Sequence, residues 1–329
     1  MELPFELKNL IENEIEKINI KDLQKNAENI SLKYRNDSGK GKRLVTEDIE
    51  SISYAAARMP ATYGAVYTAL KNTFELYNEN IKTVLDVGAG TGAGSWAANN
   101  FFELEKINCL EREDSMLKYG KYFMEKSEDL VLNTAIWEKF DLITSDISQI
   151  ATNSADLVIC SYVINELDEK DRKTALNKLW NMTNKILLII EPGTPEGFKH
   201  INSIRENLTE LGGKVIAPCP NINKCPMPYN DWCHSTCRVA RTKIHKILKN
   251  GDVPYEDEKF SYIAFCKNEN CKFKKDSIAR VLRHPKIESG KITLQLCTSD
   301  GIVEKVITKK QKELFKIARK CNCGDGIEL

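Results

Sequence analysis

One stretch limits what this chain can fold into: Val84-Leu85-Asp86-Val87-Gly88-Ala89-Gly90-Thr91-Gly92-Ala93-Gly94, followed by Ser95-Trp96-Ala97-Ala98. Apolar residues and an acid run into four glycines at alternate positions, and small and apolar residues follow in helical order. This is the pattern of a buried strand, a turn whose backbone must come close to a ligand, and a helix N-terminus that offers free N–H groups. Turns of this kind hold nucleotide-like cofactors in doubly wound sheets.

Two cofactors compete for the turn. Gly88, Gly90 and Ala93 satisfy the loose dinucleotide fingerprint, in which the third glycine is sometimes alanine. Asp86, however, stands at the end of the strand, two residues before the first glycine. The resulting Asp-x-Gly-x-Gly-x-Gly resembles the first motif of class I S-adenosylmethionine-dependent methyltransferases. Glu111 closes the next apolar run, Lys106-Ile107-Asn108-Cys109-Leu110-Glu111, where it can accept hydrogen bonds from ribose hydroxyls. Asp86, Gly88, Gly90, Gly92 and Glu111 are therefore the expected cofactor residues. Asp146, before a later strand, stands where this fold often places an acid near the adenine amino group.

Around this motif the chain alternates strands and helices. Strands are expected at 82–87, 106–111, 155–162 and 185–191, with shorter ones near 131–136 and 213–217. Helices are expected at 93–101, 114–126, 168–182 and 196–211. The alternation predicts an α/β fold with a mainly parallel sheet and right-handed crossovers. Before it, residues 5–34 and 61–77 read as helical, a basic loop spans 33–43, and Thr46 is the expected N-cap of a helix leading to Pro60. The expected organisation is a helical cap over 1–80, a Rossmann-like domain over 81–216 and a cysteine-rich basic module over 217–329. The run Asp156-Leu-Val-Ile-Cys-Ser-Tyr-Val-Ile-Asn-Glu-Leu167 ends where catalytic groups would sit, but Ser161, Tyr162 and Asn165 include no obvious base, and no catalytic residue is assigned.

The 329 residues allow about two domains. Net charge is +1, yet residues 1–214 carry 26 Lys and Arg against 34 Asp and Glu, while residues 215–329 carry 22 against 13. An acidic front and a basic back point to a polyanion at the C-terminal end. The expected RNA contacts are Arg238, Arg241 and Lys246, in an acid-free segment over 234–251 that reads as a helix. Further basic runs lie at 267–286 and 305–320. The first residues lack the regions of a signal peptide, and no run reaches the length of a membrane span, so a cytoplasmic protein is expected.

Eleven cysteines without an export signal point to reduced thiols and a metal site. Cys219, Cys225 and Cys233 lie in a proline-stiffened stretch that cannot form a helix. A fourth soft ligand would come from His234 or Cys237 locally, or from Cys266, Cys271 or Cys297 further on. Four thiolates suit an iron–sulfur cluster or zinc, and spacing does not choose between them.

Several motifs occur in one order: Tyr54-Ala-Ala-Ala-Arg-Met-Pro-Ala-Thr62, the glycine motif with Trp96, Glu191-Pro-Gly-Thr-Pro-Glu-Gly-Phe198, Ala217-Pro-Cys-Pro220, Cys225-Pro226, Trp232-Cys-His234 and Glu256-Asp-Glu-Lys-Phe-Ser-Tyr262. Together they resemble the methyltransferase-like proteins of the small ribosomal subunit, bacterial relatives of a mitochondrial small-subunit assembly factor. The resemblance implies S-adenosylmethionine as cofactor and the small subunit or its 16S-type rRNA as partner, with a monomer off the ribosome. It also implies a [4Fe–4S] cluster on Cys219, Cys225, Cys233 and, by position, Cys297. The chain departs from the family in Ser235-Thr236-Cys237 and in Cys323-Gly324-Asp325. Two other functions fit the same residues: a catalytically active RNA methyltransferase with a structural metal site, and a non-catalytic iron- or redox-sensing RNA-binding module.

Overall fold

The computed structural model describes residues 1–220, 224–249, 251–267 and 278–328. Four helices come first: α1 (Phe5–Ile15), α2 (Ile20–Asp37), α3 (Asp48–Ala57) and α4 (Met59–Phe74). The continuous helix expected over 5–34 breaks because Asn19 is extended and its side chain caps Lys21 N–H. Helix α2 then runs through Lys33–Asp37, shortening the expected basic loop. Glu47, not Thr46, caps α3, through a reciprocal capping box with Glu50.

Next come β1 (Thr83–Val87), α5 (Ala93–Asn99), β2 (Lys106–Glu111), α6 (Asp114–Glu125), α7 (Leu130–Asn133) and β3 (Ile136–Lys139). They are followed by β4 (Ala155–Ser161), α8 (Glu169–Asn181), β5 (Thr183–Pro192), α9 (Pro195–Glu210) and β6 (Lys214–Ala217). The strand expected near 131–136 is displaced because the Asp129 carboxylate caps Val131 and Leu132 N–H and winds a helical turn there. After the cysteine stretch come β7 (Ser235–Ala240), α10 (Lys243–Leu248) and β8 (Tyr255–Cys266). The helix expected over 234–251 is thus mostly absent. Residues 235–240 alternate in burial as a strand does, and only the stretch capped by Thr242 coils.

The large sheet has the order β3-β2-β1-β4-β5-β8-β6, with β7 on β8. β1 runs parallel to β2 and β4, β2 parallel to β3, and β6 antiparallel to β8. A parallel sheet whose order reverses at β1, with an antiparallel strand near one edge, is the class I methyltransferase variant of the Rossmann-like α/β fold. The central strands are apolar on both faces: Leu85, Val158, Ile159 and Leu187 are fully buried. The switch point lies between β1 and β4, outside their carboxyl ends, which is where such sheets bind ligands.

The chain divides into two compact units. The first comprises Met1–Thr68, Asn80–Leu188 and Cys237–Glu258. The second comprises Ala69–Glu79, Ile189–Thr236 and Lys259–Leu329. It contains β9 (Ala279–Val281), β10 (Lys286–Glu288), β11 (Lys291–Thr298), β12 (Gly301–Thr308), α11 (Lys312–Ala318) and β13 (Gly326–Ile327). These strands form a sheet ordered β10-β11-β9-β13, with β12 on β11, over a core that includes Val281, Leu294, Leu296 and Ala318. Among the described residues, no helix is long and apolar enough to cross a membrane.

Candidate functional site

In the first unit, β1 delivers Asp86 and the glycine turn. Gly88, Gly90 and Gly92 have φ of +70°, +57° and +91°, in the region that favours glycine. Two of them also answer to packing. A Cβ on Gly88 would stand 2.3 Å from Val163 Cγ2, and one on Gly92 2.5 Å from Met124 Cε. Gly90 faces open space, its nearest atom being Tyr54 Cε1 at 4.0 Å. The turn is tied to β2, since Gly88 and Ala89 N–H donate to Leu110 O at 2.8 and 3.1 Å.

Glu111 is buried and does two jobs. One carboxylate oxygen accepts Gly90 N–H at 2.7 Å and the other accepts Glu113 N–H at 2.8 Å. Burial pushes its carboxyl up, against those backbone donors. Each oxygen keeps a second lone-pair direction, so the residue can fix the turn and still accept from a ligand hydroxyl.

Asp86 is 1% exposed. Its Oδ2 accepts Ser95 N–H at 2.9 Å and Ser95 Oγ–H at 3.0 Å, tethering the start of α5, while Oδ1 has no partner among the described residues. Burial pushes its carboxyl up to about 6. A folded-state value raised above the ordinary 3.8 means the folded state binds the proton more tightly. The associated stability is complete below about pH 4 and is lost as pH rises through about 6. Asp86→Asn should therefore stabilise ligand-free protein at pH 7.5 by at most about 3 kcal/mol for a two-unit shift, raising its melting temperature, and lose that advantage below pH 4. Melting curves at both pH values check this, and equal gains at both would contradict it.

Asp146 is exposed and caps a short 3-10 turn, accepting Ser148 N–H at 3.0 Å. Asp141, which no sequence signal marks, lies nearer the cradle: Phe140 N–H donates to Glu111 O at 3.0 Å. The Asp141 carboxylate accepts Ile143 and Thr144 N–H at 2.9 and 3.0 Å. Burial raises its carboxyl, and these donors outweigh burial and hold it below the ordinary value.

In the second unit, Cys219, Cys225, Cys233 and Cys297 line one cavity together with Arg205 and Arg280. Its volume of about 40 Å³ is far below the roughly 300–1,000 Å³ of organic-ligand pockets. Arg280 is buried and pins the loop, donating from Nε to Pro218 O at 2.9 Å and from Nη1 to Gly324 O at 2.8 Å. Ser261 Oγ–H donates to Cys233 O at 2.9 Å, and Arg205 Nη1 lies 3.8 Å from Cys219 Sγ. Burial, then Cys219 and Cys225, push the Cys297 thiol up to about 12. The Glu-Pro-Gly motif serves this unit as well: Gly193 passes so close to β8 that a Cβ would stand 2.6 Å from Phe260 N.

Among the described residues, no group of three or more His, Cys, Asp or Glu is disposed to hold a metal ion. Neither the iron–sulfur nor the zinc expectation is therefore realised as a formed coordination site. Of the rival fourth ligands, His234 lines the same cavity, and the cysteine rivals lie elsewhere or outside the described residues. Cys237 is buried on β7, packed where a Gly64 Cβ would stand 3.1 Å from its sulfur. Cys266 is buried with its sulfur 3.2 Å from the Tyr77 hydroxyl, and Cys271 lies outside the described residues.

A sequence model of the family described as mitochondrial small ribosomal subunit Rsm22 matches residues 48–328. The chain belongs to the Rsm22 family. The human mitochondrial ribosome assembly protein METTL17 is 25% identical over 299 residues, which are 84% of this chain and 62% of that protein. The chain thus spans about three fifths of that relative's length. Solved structures with some likeness include a SAM-dependent methyltransferase from Aquifex aeolicus, at TM-score 0.43 and 15% identity over 67% of this chain and 98% of that one. Another is the magnesium protoporphyrin IX methyltransferase of Synechocystis, at TM-score 0.41 and 13% identity over 72% and 90%.

The expected RNA contacts of this Rsm22-family chain are largely neutralised. Arg238 on β7 makes a two-pronged ion pair with Asp257 at 2.7 and 2.8 Å, its guanidinium 3.8 Å from the centre of the Tyr255 ring. Arg241 pairs with Glu256 at 3.1 Å, and Lys249 pairs with the same carboxylate. Of the three candidates only Lys246 makes no ion pair with a described residue. Part of the second basic run, 268–277, lies outside the described residues.

Tyr162 carries a feature that its sequence does not announce. It follows β4 with a φ of 59°, the only positive φ of a non-glycine among the described residues, and its hydroxyl donates to Glu258 Oε1 at 3.0 Å. Strain of this kind collects at functional sites. Nothing in the run Cys160-Ser161-Tyr162 signals it.

Proposed function

We propose that this Rsm22-family chain is an S-adenosylmethionine-binding, methyltransferase-like factor that acts in assembly of the small ribosomal subunit and contacts its rRNA. The observation that carries the reading is the cradle at the switch point: three glycines at positive φ, one of them facing open space, with Glu111 fixed beside them by two backbone donors. Gly88, Gly90 and Gly92 let the backbone approach the ligand, and Glu111 takes the ribose hydroxyls. Asp86 holds the start of α5 in place. Asp141 and Asp146 both follow β3, where the adenine amino group would be met. Among the described residues, polar groups placed past β4 include Tyr162, bonded to Glu258, and Asn165, whose Oδ1 is buried without a hydrogen-bond partner.

The second half of the proposal is a [4Fe–4S] cluster on Cys219, Cys225, Cys233 and Cys297. What supports it is the donor chemistry, not a formed site: four thiols and two guanidiniums line one small cavity, and the cations would offset the net negative charge of a thiolate-ligated cluster. Its contribution would be folding free energy for the loop, since ligation orders what the cavity alone does not.

Tagged protein expressed in its own cells and separated on a sucrose gradient tests the assignment. It should sediment with small-subunit precursors and bring their rRNA with it, and loss of the protein should deplete mature subunits. Exclusive sedimentation as free protein, with a normal subunit profile after its loss, would sink the ribosomal reading.

A further inference from the structure

The first unit holds a second cavity, of about 630 Å³, whose charged wall is made by Arg35, Arg58, Arg241 and Lys249 with Glu28 and Glu256. Four cations face two carboxylates. Glu256 already gathers Arg241, His245 and Lys249 within ion-pair distance. The guanidinium of Arg58, at the C-terminal end of α3, makes no hydrogen bond or ion pair with any described residue, so its donors are spare. Its largest favourable charge is Glu258, which also accepts the Tyr162 hydroxyl. Burial, then the Arg58 charge, push the Lys249 ammonium below its ordinary value. Lys249, paired with Glu256, and Arg58, beside Glu258, are held close in a partly dehydrated wall in which Arg58 makes no ion pair with a described residue, and an incoming anion would supply that partner.

The shape narrows the anion. A guanidinium offers a planar fork and a lysine a point charge, the combination that suits phosphate oxygens. The volume admits a nucleotide-sized group and not merely an ion. We propose that this cavity is a phosphate-ester site, with Arg58 as its principal donor, Lys249 beside it and Arg35 at its exposed rim, and that an RNA strand supplies the phosphate. The RNA source rests on the ribosomal reading above, whereas the phosphate chemistry does not. None of Asp86, Gly88, Gly90, Gly92 and Glu111 is among the residues that line this cavity.

The test uses the full chain and a 5′-fluorescein-labelled 12-nucleotide single-stranded RNA, with anisotropy measured over a KCl series. Arg58→Gln and Lys249→Gln should each weaken binding about tenfold or more. Each should also flatten the log–log salt slope by about 0.7 for every phosphate of the single strand that is no longer neutralised. Lys121→Gln, an exposed lysine on α6, should stay within twofold of wild type. Arg58→Lys should recover part of the affinity, and Arg35→Gln, on exposed helix surface, should lose part of it. S-adenosylmethionine binding and melting temperature are measured on every variant, which separates this site from the cofactor reading and from misfolding. Unchanged RNA affinity and slope in a folded Arg58→Gln protein would overturn the proposal. If wild type ignores RNA while adenosine 5′-monophosphate raises its melting temperature and Arg58→Gln removes that rise, RNA is overturned as the source and a small phosphate ester takes its place.

Discussion

Gly90→Val should abolish S-adenosylmethionine binding in a protein that still folds. Gly90 is the glycine of the turn with open space ahead of it, so an added side chain enters the region a cofactor would fill. The backbone there stays at φ +57°, and holding an L-residue in that region costs roughly 1–2 kcal/mol, a loss the core should tolerate. Gly90→Ala should give a graded version, about a hundredfold weaker binding, or close to 3 kcal/mol. Gly88→Ala should behave differently, because its methyl would meet the branched Val163 at 2.3 Å and should lower the melting temperature sharply as well as binding, whereas the Gly92→Ala methyl meets the flexible end of Met124 at 2.5 Å, which can move aside, and the φ of +91° is the main cost there. Calorimetry with S-adenosylmethionine, its demethylated product and a nicotinamide dinucleotide decides the matter. Unaltered affinity in Gly90→Val, or preference of the wild type for the dinucleotide, would remove the cofactor assignment.

The sheet was legible because its signals are local. Asp86 through Gly94 state a strand, a turn and a helix within about a dozen residues, and Ile107 to Leu110 give an apolar run with an acid at its end. What local pattern could not carry was how each acid is used. Glu111 reads as a ligand acceptor, yet its carboxylate also fastens the turn by accepting Gly90 N–H, a hydrogen bond across 21 residues. Asp129 turned an expected strand into helix α7 by capping two N–H groups, a choice that apolar content in 131–136 does not reveal.

The basic segment failed for a related reason. Residues 234–251 contain no acid, so their charge looked free, but β7 and α10 meet Glu256 and Asp257, which lie just past the window. A run of like charge measures composition, whereas the field that a ligand meets depends on pairs. Arg58, unremarkable in its motif, is left by the fold with no ion-pair partner among the described residues. The cysteines show the converse. Proline-stiffened spacing marked Cys219, Cys225 and Cys233 as a set, and Cys297, more than sixty residues on, joins their cavity because β11 pairs with β9, which carries Arg280 into the same wall.

Loss of any one of four cysteines should cost the second unit its stability. Protein purified without oxygen should be brown and carry about four irons and four sulfides per chain, the content of a Cys-ligated cubane. Cys219→Ser, Cys225→Ser, Cys233→Ser and Cys297→Ser should each bleach it and lower its melting temperature, because a loop ordered by ligation loses that free energy when a ligand goes. Protease should then cut first near the loop around 219–233, while the first unit, with its own apolar core, resists longer. Cys237→Ser is the control: it sits on β7 outside the thiol cavity, so colour and iron content should survive. Colourless wild type with one zinc per chain would refute iron and keep the ligand set. Full iron in Cys297→Ser with loss in Cys237→Ser would move the fourth ligand. Four serine variants that all match wild type in metal content and melting temperature would leave the cavity as a cluster of reduced thiols, ordered by Arg280 and its hydrogen bonds to Pro218 and Gly324.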